Sequence, residues 1–417
     1  MKITDKKLIY LDNNATTAMS KDTINAMVKW CNMGNPSAGY AQPARDKIKE
    51  FQADILTMCG VGDTGTHRVI FTSGASEANC HIIRSAVMAY RSVTKVVPHV
   101  VASAIEHKSV IACLESLAEY GHCEFSLVIP DVAGQITPAN VSQKLRVNTC
   151  LVVVMSANNE TGVINEVAKI GNVCHRAGIP YHCDMVQSFG KFAADLSTLS
   201  SADSCSVSFH KFGGPPGIGA IVIREQFLTG WTLPAMISGS QNDHLRGGTE
   251  NLPGIAASSC ALRENFVDRI RRNTDLSLLK VQFLAGISLI APVMTYFNYR
   301  AACSLGSEGC GVKRRTIVVI TPEQSLPHTV LIAIVDPSAQ PCNVKMKQWL
   351  ESHGVIISVG SACNTASAKA SHVLYALGAD NFIRKGALRI SIGDHNTSAE
   401  IDRTIALFAE MLKVKTF

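Results

Sequence analysis

The chain has 417 residues, 47% of them hydrophobic and 17% charged, with a formal net charge of +6. This composition describes a folded soluble protein with a large core and excludes a disordered one, and the length suggests two to three domains. No apolar run nears the ~18 residues of a membrane span, and no basic run carries interleaved aromatics, so neither membrane nor nucleic acid is expected as a partner.

The opening MKITDKKLIYLDNNATT has neither the apolar core of a signal peptide nor the Arg/Ser-rich character of a transit peptide, so a cytoplasmic location is expected. Most of the 14 cysteines sit inside apolar runs and no CxxC pair occurs, which predicts buried free thiols and no zinc site. A first helix starts after Ser20, with Ile24, Met27, Val28 and Cys31 on one face. GNPSAGYAQPA then reads as a loop. Seven β-type runs follow, over 68–73, 99–106, 123–130, 149–157, 179–185, 204–209 and 220–225. Helical stretches lie between them, such as the one from Ile164 that stops at Gly178. Alternation of this kind predicts a mostly parallel sheet covered on both faces.

From about Arg263 the pattern becomes one long helix or two, and residues 291–315 give no clear signal. A second, shorter α/β series follows and ends in a helix with a capping box, Thr397 to Glu400. Its buried side is read as Ile401, Ile405, Phe408 and Leu412. The predicted division is a large domain over 17–262 and a small domain made of 1–16 with 263–417.

Several strand ends carry side chains suited to chemistry. In FTSGASEAN, residues Ser73, Gly74, Ala75 and Ser76 lie between a strand and a helix, where free amides hold a phosphate; Ser73 as a plain helix cap is the alternative. His107, just past a strand, can stack on a flat cofactor or be a turn residue, and Asn158 offers an amide in ANNETG or serves the turn. Asp184, at another strand end with Gln187 three residues on, can keep a heterocyclic nitrogen protonated or cap a helix. In SFHKFGGPPGIGA, Lys211 follows a buried strand beside His210. A desolvated amine there can condense with an aldehyde; a surface lysine on a hairpin is the other reading. Cys363 lies in a run of small and polar residues, where an accessible thiol can ionise and attack; a free surface cysteine in a flexible loop is the alternative. Arg389 sits inside an apolar strand and needs a carboxylate or phosphate partner, either a ligand or a structural ion pair.

In this order and with their flanks, the stretches YLDNNATT, GNPS, FTSGASEAN, IEH, NNETGV, HCDMVQSFGK, SFHKFGGPPGIGA, RGGTEN, SVGSACNTAS, SHVLYALG and LRISIG resemble the cysteine desulfurase family. That is the NifS-like branch of the class V aminotransferases, and the likeness spans nearly the whole chain except about 264–325. The resemblance implies an α/β protein of the pyridoxal-phosphate transferase fold type I. It has a large, mostly parallel seven-stranded sheet domain and a smaller C-terminal α/β domain.

The resemblance also implies roles. Lys211 binds the aldehyde of pyridoxal 5'-phosphate, His107 stacks on its ring, and Asp184 partners the ring nitrogen. Gln187 and Asn158 contact the phenolic oxygen and the substrate side. Ala75, Ser76, Ser208 and His210 bind the phosphate, and Thr249 of RGGTEN reaches the phosphate of a neighbouring subunit, which implies a homodimer. Arg389 grips the carboxylate of L-cysteine. The Cys363 thiolate takes the sulfur as a persulfide, leaving L-alanine, and hands it to an acceptor protein such as an iron–sulfur scaffold or a thiolation carrier. Three residues depart from the family pattern: Ser76 stands for threonine, Met185 for alanine and Pro216 for lysine. The stretch after GNPS is also shortened. A selenocysteine lyase using the same apparatus and a non-catalytic sulfur-relay relative are the rival readings.

Overall fold

The computed structural model describes residues 8–62, 65–191, 201–231, 233–305, 312–359 and 371–414. Its first strand, β1 (Ile9–Tyr10), belongs to the C-terminal half and is taken up there. The expected β-type runs become β2 (His67–Thr72), β3 (His99–Ser103), β4 (Glu124–Val128), β5 (Thr149–Val153), β6 (Tyr181–Asp184), β7 (Ser204–Ser208) and β8 (Gly219–Arg224). They form one seven-stranded sheet in the order β2-β8-β7-β6-β5-β3-β4. The β4, β3, β5, β6 and β7 strands are mutually parallel, and β8 runs antiparallel to both β7 and β2.

Alternation along the strands shows why the sheet is covered twice. Val101, Val152 and Val222 enter one core with Phe51, Ile55, Ile170 and Ile255. Their neighbours Val100, Leu151 and Ile221 enter the other, with Ile82, Ile83, Leu114 and Leu117. Side chains on a strand point alternately to its two faces, so strands apolar at every position need helices on both sides. Helices Gln42–Met58, Val167–Arg176 and Leu252–Val267 cover the first face, and Ala75–Thr94 and Lys108–Glu119 the second.

The C-terminal half adds β9 (Val293–Thr295), β10 (Thr316–Val319), β11 (Thr329–Val335), β12 (Val355–Ile356) and β13 (Ala387–Ser391). Four of them make a sheet in the order β13-β11-β10-β9, while β12 pairs in parallel with β1. Phe283, Ile332, Leu350 and Phe408 form the centre of a core beside this sheet. The final helix, Ser398–Met411, has its Thr397–Glu400 capping box. A large, mostly parallel sheet followed by a smaller C-terminal α/β part is the expected architecture.

One expectation needs correcting. Helix Lys21–Trp30 forms with Ser20 as its cap, but it buries Thr23 against helix Leu252–Val267 and leaves Ile24 and Val28 exposed. The stretch from Arg263 is the end of one helix and the start of another. Leu252–Val267 and Arg269–Ile290 are separated at Asp268, which is the two-helix form of the expected pattern. Among the described residues, no helix is long and apolar enough to cross a membrane.

Candidate functional site

A cavity of about 480 Å³ opens where the parallel strands end, and residues from β2, β3, β5, β6 and β7 meet in it. Strand carboxyl ends are where open α/β sheets place ligands. Ser73, Gly74, Ala75, Ser76 and Glu77 follow β2 into helix Ala75–Thr94 and form one wall. His107 comes after β3, Asp184 and Gln187 close β6, and Ser208, His210 and Lys211 close β7. Arg389 reaches the same cavity from β13 in the smaller part.

Lys211 lines the cavity and is half-buried, not a surface lysine on a hairpin. It lies in a short 3-10 turn whose flanking Phe209 and Phe212 are buried, Phe209 against the rings of Phe51 and Phe71. The turn ends at Gly213, whose φ of +90° suits glycine. The Lys211 Nζ donates to the carbonyls of Asn14, at 2.9 Å, and Ala15, at 2.8 Å. Burial, and then the field of Arg389, push its pKa down to about 8, so about a tenth of the amine is neutral at pH 7, far more than for an ordinary lysine. His210 is likewise pushed down to about 4 by burial and by Lys211.

Asp184 is 3% exposed, and both of its oxygens are held in place. Asn79 Nδ2 donates to Oδ2 at 2.8 Å and the Val186 amide to Oδ1 at 2.9 Å. Gln187 donates to the Asn14 carbonyl, while its buried Oε1 has no partner. His107 faces the open cavity and caps helix Lys108–Glu119 by accepting from the Ser109 amide. The protein around the imidazole lowers its pKa, chiefly by burial and against the pull of Asp184. Ser73 is no helix cap. Its amide donates to Glu77, and Gly74 takes the cap position.

Arg389 has the structural ion pair that was one of its two expected partners. Its guanidinium pairs with Asp12 at 2.5 Å and donates to the Asn159 carbonyl at 2.9 Å, while its buried Nε lacks a partner. The structural ion pair is therefore real, and the Nε donor is left without a partner.

Asn158 is corrected. It is fully buried, its amide nitrogen donating to Ile105 and its oxygen accepting from Glu160 and Thr161, so it builds the turn. The adjacent Asn159 lines the cavity instead. Met185 packs into the core and does not line the cavity, whereas Pro216 does. Thr249 is exposed and is not part of its own chain's cavity.

Cys363 lies outside the described residues, but the chain on either side of its segment is placed. Ser358 lines the cavity and pairs with Arg389 through both backbone groups. Ser371 donates to Glu160, next to Asn159. Cys363 is five residues past Ser358, at most ~18 Å of extended chain.

Sequence reasoning assigned no role to Asp12, Asn14 and Ala15, which hold Arg389 and Lys211, although YLDNNATT stood out as a motif. Asn79 also went unnoticed, since a single asparagine inside a helix carries no signal of its own.

Comparison with known proteins fits this geometry. Residues 9–272 match the class V aminotransferase family. A cysteine desulfurase IscS from Methanosarcina thermophila is 30% identical, with 98% of this chain and 93% of the relative aligned. A solved NifS-like protein superposes with a TM-score of 0.79 at 26% identity, covering 97% of this chain and 99% of its own. A structure described as SspA in complex with cysteine superposes at 0.71 with 26% identity, covering 93% and 100%. Matched over more than half its length by the family and nearly end to end by a relative at this identity, the chain belongs to the cysteine desulfurases of the class V aminotransferase family.

Proposed function

We propose that this protein is a pyridoxal 5'-phosphate-dependent cysteine desulfurase that converts L-cysteine to L-alanine and keeps the sulfur as a persulfide on Cys363. The observation that carries the reading is the convergence of Lys211, Asp184, His107 and Arg389 on one cavity.

The residues present fit the coenzyme. Lys211 is a partly neutral amine for its aldehyde, and Asp184 a buried carboxylate for its ring nitrogen. The ring of His107 is available for stacking. The first turn of helix Ala75–Thr94, with Ser76, Ser208 and His210, would take its phosphate. The unpartnered Gln187 Oε1 and Arg389 Nε are buried polar atoms that a bound ligand would satisfy. When bound, the coenzyme supplies an electron sink for charge developing at the substrate's α-carbon.

The chain's own residues do the remaining work. Arg389 orients the substrate through its carboxylate. Lys211, with a pKa near the working pH, moves the α-proton. The Cys363 thiolate forms an S–S bond to the substrate sulfur as the Cβ–S bond breaks, and Cβ gains a proton. Cysteine and a thiol thus become alanine and a persulfide with atoms balanced. Thr249, exposed on its own chain, would complete the phosphate site of a second copy. An acceptor such as an iron–sulfur scaffold would then collect the sulfur. The twelve described cysteines are free thiols, which suits a reducing compartment such as the cytosol.

Incubation with L-cysteine and a reductant tests the reading. A yellow protein should release sulfide and alanine in equal amounts, and with the reductant left out mass spectrometry should find one added sulfur on Cys363. Cys363→Ala should keep the colour and lose sulfide release. A colourless protein that releases no sulfide would instead be a binding relative, and strong preference for selenocysteine would make it a lyase for that substrate.

A further inference from the structure

Behind the cavity, Asp184 and His107 are joined by one chain of hydrogen bonds through Asn79, and the donors in it can be assigned outright. Asn79 is fully buried in helix Ala75–Thr94. An ionised Asp184 only accepts, so the Asn79 group facing it at 2.8 Å is Nδ2. The Asn79 oxygen must then point the other way, where it accepts from Ser206 Oγ at 2.5 Å and His182 Nε2 at 3.0 Å. His182 therefore carries its proton on Nε2, and its Nδ1 accepts from Ser204 Oγ at 2.8 Å. Full burial pushes the pKa of His182 down to about 3, in keeping with a neutral ring.

The second Nδ2 hydrogen of Asn79 goes to Ser109 Oγ at 3.1 Å. The Ser109 amide donates to His107 Nδ1 at 3.2 Å, which makes that nitrogen an acceptor, so the Ser109 hydroxyl, 2.9 Å away, donates its one proton to it as well. Two donors aimed at Nδ1 leave the proton of a neutral imidazole on Nε2.

We propose that Asn79 and Ser109 are positioning residues that lock His107 in its Nε2–H tautomer, so that the neutral ring offers the cavity a hydrogen-bond donor and not a base. A neutral imidazole held this way stabilises negative charge developing on a neighbouring atom. The proton transfers then fall to Lys211. The use made of the donor rests on the desulfurase reading; the tautomer itself does not.

The test is ¹⁵N NMR of the full-length protein with labelled histidine at neutral pH, with and without pyridoxal phosphate. The His107 signals are identified by their loss in His107→Asn. The expected result is an unprotonated Nδ1 and a protonated Nε2. A protonated Nδ1, a mixture of tautomers or an imidazolium overturns the proposal. Asn79→Ala should shift His107 towards a mixture and lower kcat about ten- to a hundredfold, the worth of one hydrogen bond to a charged group, with KM for cysteine changed little. An unchanged tautomer with unchanged kcat removes Asn79 from the chain. If Asn79→Ala does not fold, Ser109→Ala should give the same shift through the loss of one donor to Nδ1. Sulfide release with the wrong tautomer refutes this inference alone, and the stated tautomer without sulfide release refutes the desulfurase reading alone.

Discussion

Lys211 is not the only amine buried near the site. Lys191 is half-buried, with one long bond, 3.3 Å, to the Asn13 carbonyl. Burial, followed by the charges of Lys211, Arg389 and Arg272, pushes its pKa down to about 7, and Asp12 pulls the other way. The unfolded chain keeps the ordinary lysine value. Below pH 7 both states hold the proton, and the folded state bears the whole cost of burying it. Between about 7 and 10.4 only the unfolded chain holds it, so this contribution to stability improves as pH rises. Buried thiols such as Cys150, pushed up to about 12, act in the opposite sense, so the lysine is isolated by a difference. Lys191→Met should exceed the wild type in urea stability by about 1–4 kcal/mol at pH 7, with the gap closing by pH 10. A gap that does not depend on pH would mean Lys191 is solvated. Lys211 and Asp184 were legible because each stands alone where a β-type run stops. Asn158 and Asn159 were not separable. Identical neighbours differ only in which way the chain turns after β5, and hydrogen bonds to Ile105, Glu160 and Thr161 decide that.

At the scale of elements, the wall meant for the phosphate depends on two glycines in close contact. A Cβ on Gly219, at the start of β8, would sit 2.5 Å from the Val207 carbonyl and 2.7 Å from the Gly74 Cα. Neither is the end of a flexible side chain, so the β2–helix turn or the β7–β8 pairing must move. Gly219→Ala should therefore weaken coenzyme retention at least tenfold in equilibrium dialysis and cost about 1–3 kcal/mol of stability. Normal retention would show that the turn adapts without cost. Thr397→Ala, which opens the capping box of helix Ser398–Met411, is the contrasting case. It should cost about 1 kcal/mol and leave the turnover of cysteine unchanged, because that helix lines no part of the cavity. The same contrast runs through what the sequence disclosed. The capping box was legible because its signal is local. The face of helix Lys21–Trp30 was not, because Ile24 and Val28 have the right period but stay exposed among the described residues, and Thr23 meets helix Leu252–Val267 instead.

Across the whole molecule, the cavity is a joint product of distant segments: Asp12 from the start, the strand ends of the large sheet, and Arg389 from β13. Motif order disclosed that set, since each piece lies at a strand end or inside a strand. The segment around 291–315 stayed opaque because β9 is only three residues long and pairs at the sheet edge. One residue that the family resemblance assigns to the site, the exposed Thr249, lies outside the cavity of its own chain. If it serves a second copy, each site takes Lys211 from one chain and Thr249 from the other. Lys211→Ala then destroys the site in its own chain, and Thr249→Asp sets a carboxylate against the phosphate in its partner's. In a two-fold dimer both parents are inactive, but a mixed dimer holds one site with an intact Lys211 and an intact Thr249. Unfolding and refolding an equal mixture should restore about a quarter of wild-type sulfide release, because about half the dimers are mixed and each has one good site of two. If Thr249 served its own chain, every intact Lys211 would sit beside the aspartate, and the mixture would stay as inactive as its parents.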